Sequence, residues 1–186
     1  MCVAIKYNLW KRYSCQEVID SKTPPGSGEE FRKYGKTPIQ FNDAGEFIRR
    51  HGLAEEKYSH HYVGVRENPP AYYPVREFPL NKYLVIDRPE KSLIEDCVWM
   101  HPIVVAFNTG NDFANVNQSG YPRVYSPPIP GDGIEITGHS MVLMGYGTNP
   151  TTQEDFWICM DPNGYVLMSR DMNRNPIHEA FIPELI

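Results

Sequence analysis

The clearest pattern in the chain is a pair of apolar runs, Met141-Val142-Leu143-Met144 and Phe156-Trp157-Ile158-Cys159-Met160, separated by the polar stretch from Thr148 to Glu154. Runs of strand length on either side of turn formers predict two antiparallel strands. If Met144 faces Phe156, the start of one strand lies beside the end of the other, and His139 comes against Asp161. Asn163-Gly164 follows between Trp157 to Asp161 and Tyr165 to Ser169. Both central residues of a type I′ turn need positive φ, so this dipeptide predicts a tight hairpin. Ile103 to Phe107 is a continuous apolar run and predicts a buried strand, and Tyr83 to Ile86 predicts another.

Helical spacing appears elsewhere. Val3, Tyr7 and Trp10 share one face of an opening segment that has no cap at its start. Ser14 and Glu17 have the spacing of a capping box ahead of Val18 and Ile19. Asp43 and Glu46 repeat that spacing before Phe47 and Ile48, with Gly52 as the stop and Arg49, Arg50 and His51 in the last turn, where the helix dipole favours positive charge. Pro89 suits the first turn of a helix carrying Leu93, Ile94, Cys97 and Val98, which His101-Pro102 ends. Between Val63 and Asn81 the chain is rich in proline and tyrosine and reads as a stiff, irregular crossover.

The composition narrows the function. With 41% hydrophobic and 12% aromatic residues the 186-residue chain is globular, and its net charge of −5 has no basic cluster with which to hold nucleic acid. No apolar stretch is long enough to span a membrane, and the first residues do not form a secretory signal, so a cytoplasmic location is expected. Cys2, Cys15, Cys97 and Cys159 lack metal-type spacing and read as reduced thiols, while His60-His61 on an irregular segment does not predict a metal. No metal and no cofactor are expected. Asn117-Gln118-Ser119 is a formal glycosylation sequon that matters only in a secreted protein. A His139–Asp161 pair suits a carboxylate orienting a general base, and equally a pair that only stabilises.

Gly138-His139-Ser140-Met141-Val142-Leu143-Met144-Gly145-Tyr146-Gly147 resembles the segment that holds the catalytic histidine in papain-like cysteine peptidases. His139 takes the place of that histidine. Asp161 stands where the family has the asparagine of Asn-Ser-Trp-Gly, so the orienting amide has become a carboxylate. Ser14-Cys15-Gln16-Glu17-Val18-Ile19-Asp20-Ser21, Phe47 through Tyr62, and Asp112-Phe113 followed by Ser119-Gly120-Tyr121 resemble further family segments in the same order.

The resemblance implies an α+β, two-lobe papain-like fold. A helical left lobe over residues 1–82 would be truncated relative to the family, and residues 83–186 would form an antiparallel β-rich right lobe carrying the histidine. Laid on the family pattern, Met1 falls inside the nucleophile helix, and the catalytic cysteine and the oxyanion glutamine would lie upstream. Cys2 would sit more than a turn beyond the nucleophile position, at about 5.4 Å per turn. The family's tryptophan-containing excursion after the asparagine is replaced by the turn at Asn163-Gly164, so His139 is expected to be more solvated, and a His–Asp pair in water is worth little to stability or catalysis.

The expected function is that of a catalytically silent papain-like protein binding a peptide or protein. Gly138 and Ser140 would line what remains of its cleft, and the truncated lobe leaves room for a homo- or hetero-oligomer. The alternative is a cysteine-type endopeptidase whose nucleophile comes from upstream sequence or from another chain. A serine hydrolase using Ser140 or Ser14 with His139 lacks a Gly-x-Ser-x-Gly motif.

Overall fold

The computed structural model describes residues 12–22, 39–56, 76–77, 80–119, 123–128, 135–161, 164–173 and 177–185. The expected opening helix, Cys2, His60-His61 and most of the proline- and tyrosine-rich crossover lie outside them. The chain divides into two compact units, Met1–Tyr83 with Pro183–Ile186, and Leu84–Ile182.

In the first unit, α1 spans Cys15–Lys22 and α2 spans Phe41–His51. Helix α1 begins directly after Ser14, the expected N-cap, and Ser14 and Glu17 also make contacts beyond the helix. The Ser14 N–H donates to the Ala54 carbonyl at 3.0 Å, and the Glu17 carboxylate accepts from the Ala54 N–H at 3.4 Å. The same acid lies 3.6 Å from Arg76 and is fully buried. Ser14 and Glu17 thereby also tie α1 to the segment around Ala54. At α2 the N-cap is Gln40 rather than Asp43, which falls in the first turn and there meets the positive end of the helix dipole. Glu46 then pairs along the helix with Arg49 and Arg50. Gly52 does end α2, at φ 68° with its N–H on the Ile48 carbonyl, a conformation that a Cβ would strain.

The second unit is built on a sheet. The strands are β1 (Leu80–Asp87), β2 (Ile103–Gly110), β3 (Val124–Tyr125), β4 (Ile136–Thr148), β5 (Asp155–Asp161), β6 (Gly164–Ser169) and β7 (Glu179–Leu185). Their order is β1-β7-β2-β4-β5-β6-β3. Helix α3 (Lys91–Met100) buries Ile94, Cys97 and Val98, whereas Leu93 stays 39% exposed, contrary to the periodicity. Its N-cap is Glu90, which leaves Pro89 just before the helix rather than in its first turn. The core gathers these residues with Val105, Phe107, Met141, Leu143, Trp157, Cys159 and Met168. Each large apolar side chain contributes about 2 kcal/mol by leaving water. A slip of one residue in β4 would turn Met141 and Leu143 outward, so the core fixes the register.

That register differs from the expected one. Gly147, not Met144, faces Phe156, and a bulge between Leu143 and Gly145 shifts the pairing before Leu143 meets Cys159 and Val142 meets Met160. An extra residue in one strand of a pair is absorbed in this way, with a local bend. The following hairpin is tight, but Gly164 is already the first residue of β6, paired with Asp161 at φ 127°, rather than a central turn residue.

Away from the histidine, Arg170 closes the other end of the β4–β5 hairpin. Its guanidinium lies 4.6 Å from the Tyr146 ring centre and 5.2 Å from that of Trp157, and it reaches Glu95 of α3 at 3.0 Å. A nearly buried cation held by two rings and a carboxylate joins helix to sheet there.

Candidate active site

His139 lies on β4 opposite Phe107 of β2. Alternation along the strand puts it on the same face as the buried Met141 and Leu143, and turns Gly138 and Ser140 to the other face, where both are exposed. The pairs Val142–Met160 and Leu143–Cys159 place Asp161 diagonally across from His139 rather than directly opposite. A diagonal separation is within reach of an imidazole. His139 Nε2 meets Asp161 Oδ2 at 2.7 Å, so the expected pair forms through a register other than the expected one.

The two members of the pair differ in exposure. The Asp161 side chain is 6% exposed and that of His139 is 35% exposed. An ionised carboxylate only accepts, so the Nε2–H donates and the lone pair of a neutral ring sits on Nδ1. Among the described residues Nδ1 has no hydrogen-bond partner. An imidazole with its proton fixed at one edge and a basic nitrogen at the other is what a general base requires.

Phe113 packs against the imidazole, ring centres 5.1 Å apart and tilted by 51°. It belongs to a 3-10 helix, Asn111–Ser119, that the hydrophobic pattern did not predict. Behind it, the buried Tyr125 donates to Asp112 Oδ1 at 2.8 Å and accepts from the Gly110 N–H at 2.9 Å. Burial, with a contribution from Asp112, pushes the Tyr125 phenol up to about 12. In the sequence, Asp112-Phe113 stands out only as part of a family-like path. The adjoining Gly110 was the available signal for a close backbone return.

The thiols of this unit do not join the pair. Cys97 and Cys159 are buried in the core, and burial pushes both thiols up, which keeps them protonated and inert. Cys15, in the other unit, is exposed and free. Ser140 points away from the His139 face, so the two do not form a nucleophile–base couple. Among the described residues no group of three or more histidine, cysteine, aspartate or glutamate side chains could hold a metal ion. Nor is any helix among them long and apolar enough to cross a membrane.

Solved structures of papain-like cysteine proteases share this chain's α+β fold. Digestive procathepsin L2 from Tenebrio molitor is 19% identical with a TM-score of 0.69, and the match covers 99% of this chain and 57% of that one. Bromelain from Ananas comosus is 21% identical with a TM-score of 0.66, covering 100% of this chain and 83% of that one. The proform of the ragweed pollen cysteine protease Amb a 11 is 16% identical with a TM-score of 0.70, covering 98% and 55%. The chain thus spans little more than half of the two proforms. No protein-family model matches it.

Proposed function

We propose that this chain is a pseudoprotease, a papain-like cysteine peptidase homologue that binds a peptide or protein segment beside His139 without cleaving it. The observation that carries this reading is the state of the thiols: Cys97 and Cys159, in the unit that holds the base, are buried core residues with raised pKa values. Acyl transfer by a cysteine peptidase needs a thiolate within hydrogen-bond reach of the imidazole, and removing the nucleophile leaves only binding and positioning. Exposed Gly138 offers backbone to a ligand, since a Cβ there would meet nothing within 4 Å. Free thiols at Cys15, Cys97 and Cys159 suit a reducing, cytoplasmic setting.

A second reading is favoured by the 2.7 Å contact between His139 Nε2 and Asp161 Oδ2. The tautomer that it fixes leaves Nδ1 free to take a thiol proton. In that reading the chain contributes the base of a cysteine-type endopeptidase, and the nucleophile comes from sequence outside the described residues or from another chain.

Turnover of a panel of fluorogenic peptides under reducing conditions separates the two, run beside fluorescence anisotropy with the same peptides and with His139→Ala and Cys2→Ala variants. Saturable binding without turnover supports the pseudoprotease. Turnover abolished by His139→Ala overturns it in favour of the endopeptidase, and its simultaneous loss in Cys2→Ala would identify the nucleophile.

A further inference from the structure

We infer that Phe113, held by a clamp made of Gly110, Asp112 and Tyr125, is a positioning residue that fixes the His139 imidazole against Asp161. The importance of that imidazole rests on reading His139 as a retained base. The packing that orients it is observed independently.

His139 cannot be immobilised by burial alone, because its side chain is about a third exposed. One hydrogen bond to Asp161 fixes one ring edge but leaves the ring free to swing about that contact. Phe113 supplies the second restraint, on the ring face. Phe113 is in turn held from behind by Tyr125, ring centres 5.2 Å apart at 72°, an edge-to-face arrangement. Tyr125 is itself fixed, 7% exposed, with its hydroxyl engaged by both Gly110 and Asp112. The raised phenol pKa keeps the proton on Tyr125, so it remains the donor to Asp112 across the neutral range.

The clamp depends on a close return of the chain at Gly110. A Cβ at that position would lie 2.7 Å from Asp112 Oδ1 and 2.9 Å from Cγ of Pro128. The aspartate could give way, but the proline ring has less freedom to do so, so a side chain at residue 110 would push Asp112 off the tyrosine. The clamp can therefore be opened while Phe113 remains in the chain. A phenylalanine that only filled a gap at the edge of the core would not transmit such a change to the imidazole.

The test is solution NMR of the whole chain, ligand-free and labelled with 15N-histidine, following exchange of the His139 Nε2–H with water; His139→Gln assigns the signal. Phe113→Ala is expected to speed exchange roughly threefold to tenfold, the factor to which loss of one aromatic contact corresponds. Phe113→Tyr should keep the wild-type rate. Gly110→Ala and Tyr125→Phe should move exchange in the same direction as Phe113→Ala. An unchanged rate in folded Phe113→Ala or in Gly110→Ala overturns the inference. Should Phe113→Ala fail to fold, Gly110→Ala and Tyr125→Phe decide alone. Peptide binding and turnover do not enter this readout, so failure of the functional reading and failure of the positioning role are distinguishable.

Discussion

Each unit of the chain buries a carboxylate, and the two carboxylates differ in what their partners have left to give. Glu17 is fully buried among groups of its own unit, near the Arg76 guanidinium and the Ala54 N–H. Asp161 is almost as buried, but its partner is an imidazole a third exposed, with a second nitrogen that has no partner among the described residues. A guanidinium is always charged and only donates, so the contact between Arg76 and Glu17 holds structure. An imidazole that donates through one nitrogen keeps a second that can accept, so the Asp161 contact leaves bonding capacity on its partner. Burial of an acid therefore does not mark a site. The spare capacity of its partner does.

The sharpest way to break this contrast is Glu17→Ala. Loss of the buried acid should lower unfolding stability by about 2–3 kcal/mol, since it strands part of the Arg76 charge and the Ala54 amide. Urea denaturation measures the loss, and peptide binding by the surviving folded fraction should not change. If binding changed and stability did not, the two acids would have exchanged roles.

Asp161→Ala should cost less, about 1 kcal/mol, because a partly exposed imidazole can turn to water. Its main consequence is chemical. With no carboxylate to hold the proton at Nε2, 15N chemical shifts of His139 should report both neutral tautomers instead of one.

A third carboxylate tests the contrast from the opposite side. Burial, and then repulsion from Asp87, raises the pKa of Glu179 above its ordinary 4.5. The folded state thus binds that proton more readily than the unfolded chain does, so the charged form destabilises the fold fully above the folded pKa, and not at all well below 4.5. Glu179→Gln should accordingly raise the Tm at pH 7 and leave it unchanged in acid. A lower Tm at neutral pH would mean that Glu179 has a cationic partner.

The smallest effect is expected at Glu46, which Arg49 and then Arg50 hold down at about 2. A depressed carboxylate stabilises above its ordinary 4.5, and that contribution fades as pH falls toward 2. Glu46 pairs across an exposed helix face, where water and salt screen the interaction. Glu46→Gln should shift the Tm only slightly, and the shift should vanish in high salt.

These expectations also show which features sequence can carry. His139 and Asp161 were legible because each ends an apolar run, and the meeting of two strand ends survives an error in register. The bulge at Met144 was not legible, since an extra residue is accommodated by backbone geometry that leaves no compositional mark. The packing of Phe113 against His139 was not legible because Phe113 comes from a 3-10 helix that lacks the periodicity of an α-helix. The caps at Asp43 and Pro89 were misplaced by a few residues, where several polar or turn-forming side chains compete for one role. At Ser14 and Glu17 the spacing marked where α1 begins, but the bonds to Ala54 were not legible, since spacing along the chain contains no information about a distant partner.

The strand order has a consequence for how the molecule assembles. β4, β5 and β6 are consecutive hairpins, so the 22 residues separating His139 from Asp161 close a short loop at modest entropic cost. β7 must instead travel back to pair with β2, joining Ala180 to Val105 across a far longer stretch of chain. Local pairings form quickly and distant ones slowly. The histidine and its carboxylate can thus find one another early in folding, while β7 is still unpaired, so this pair belongs to the part of the sheet that nucleates most easily.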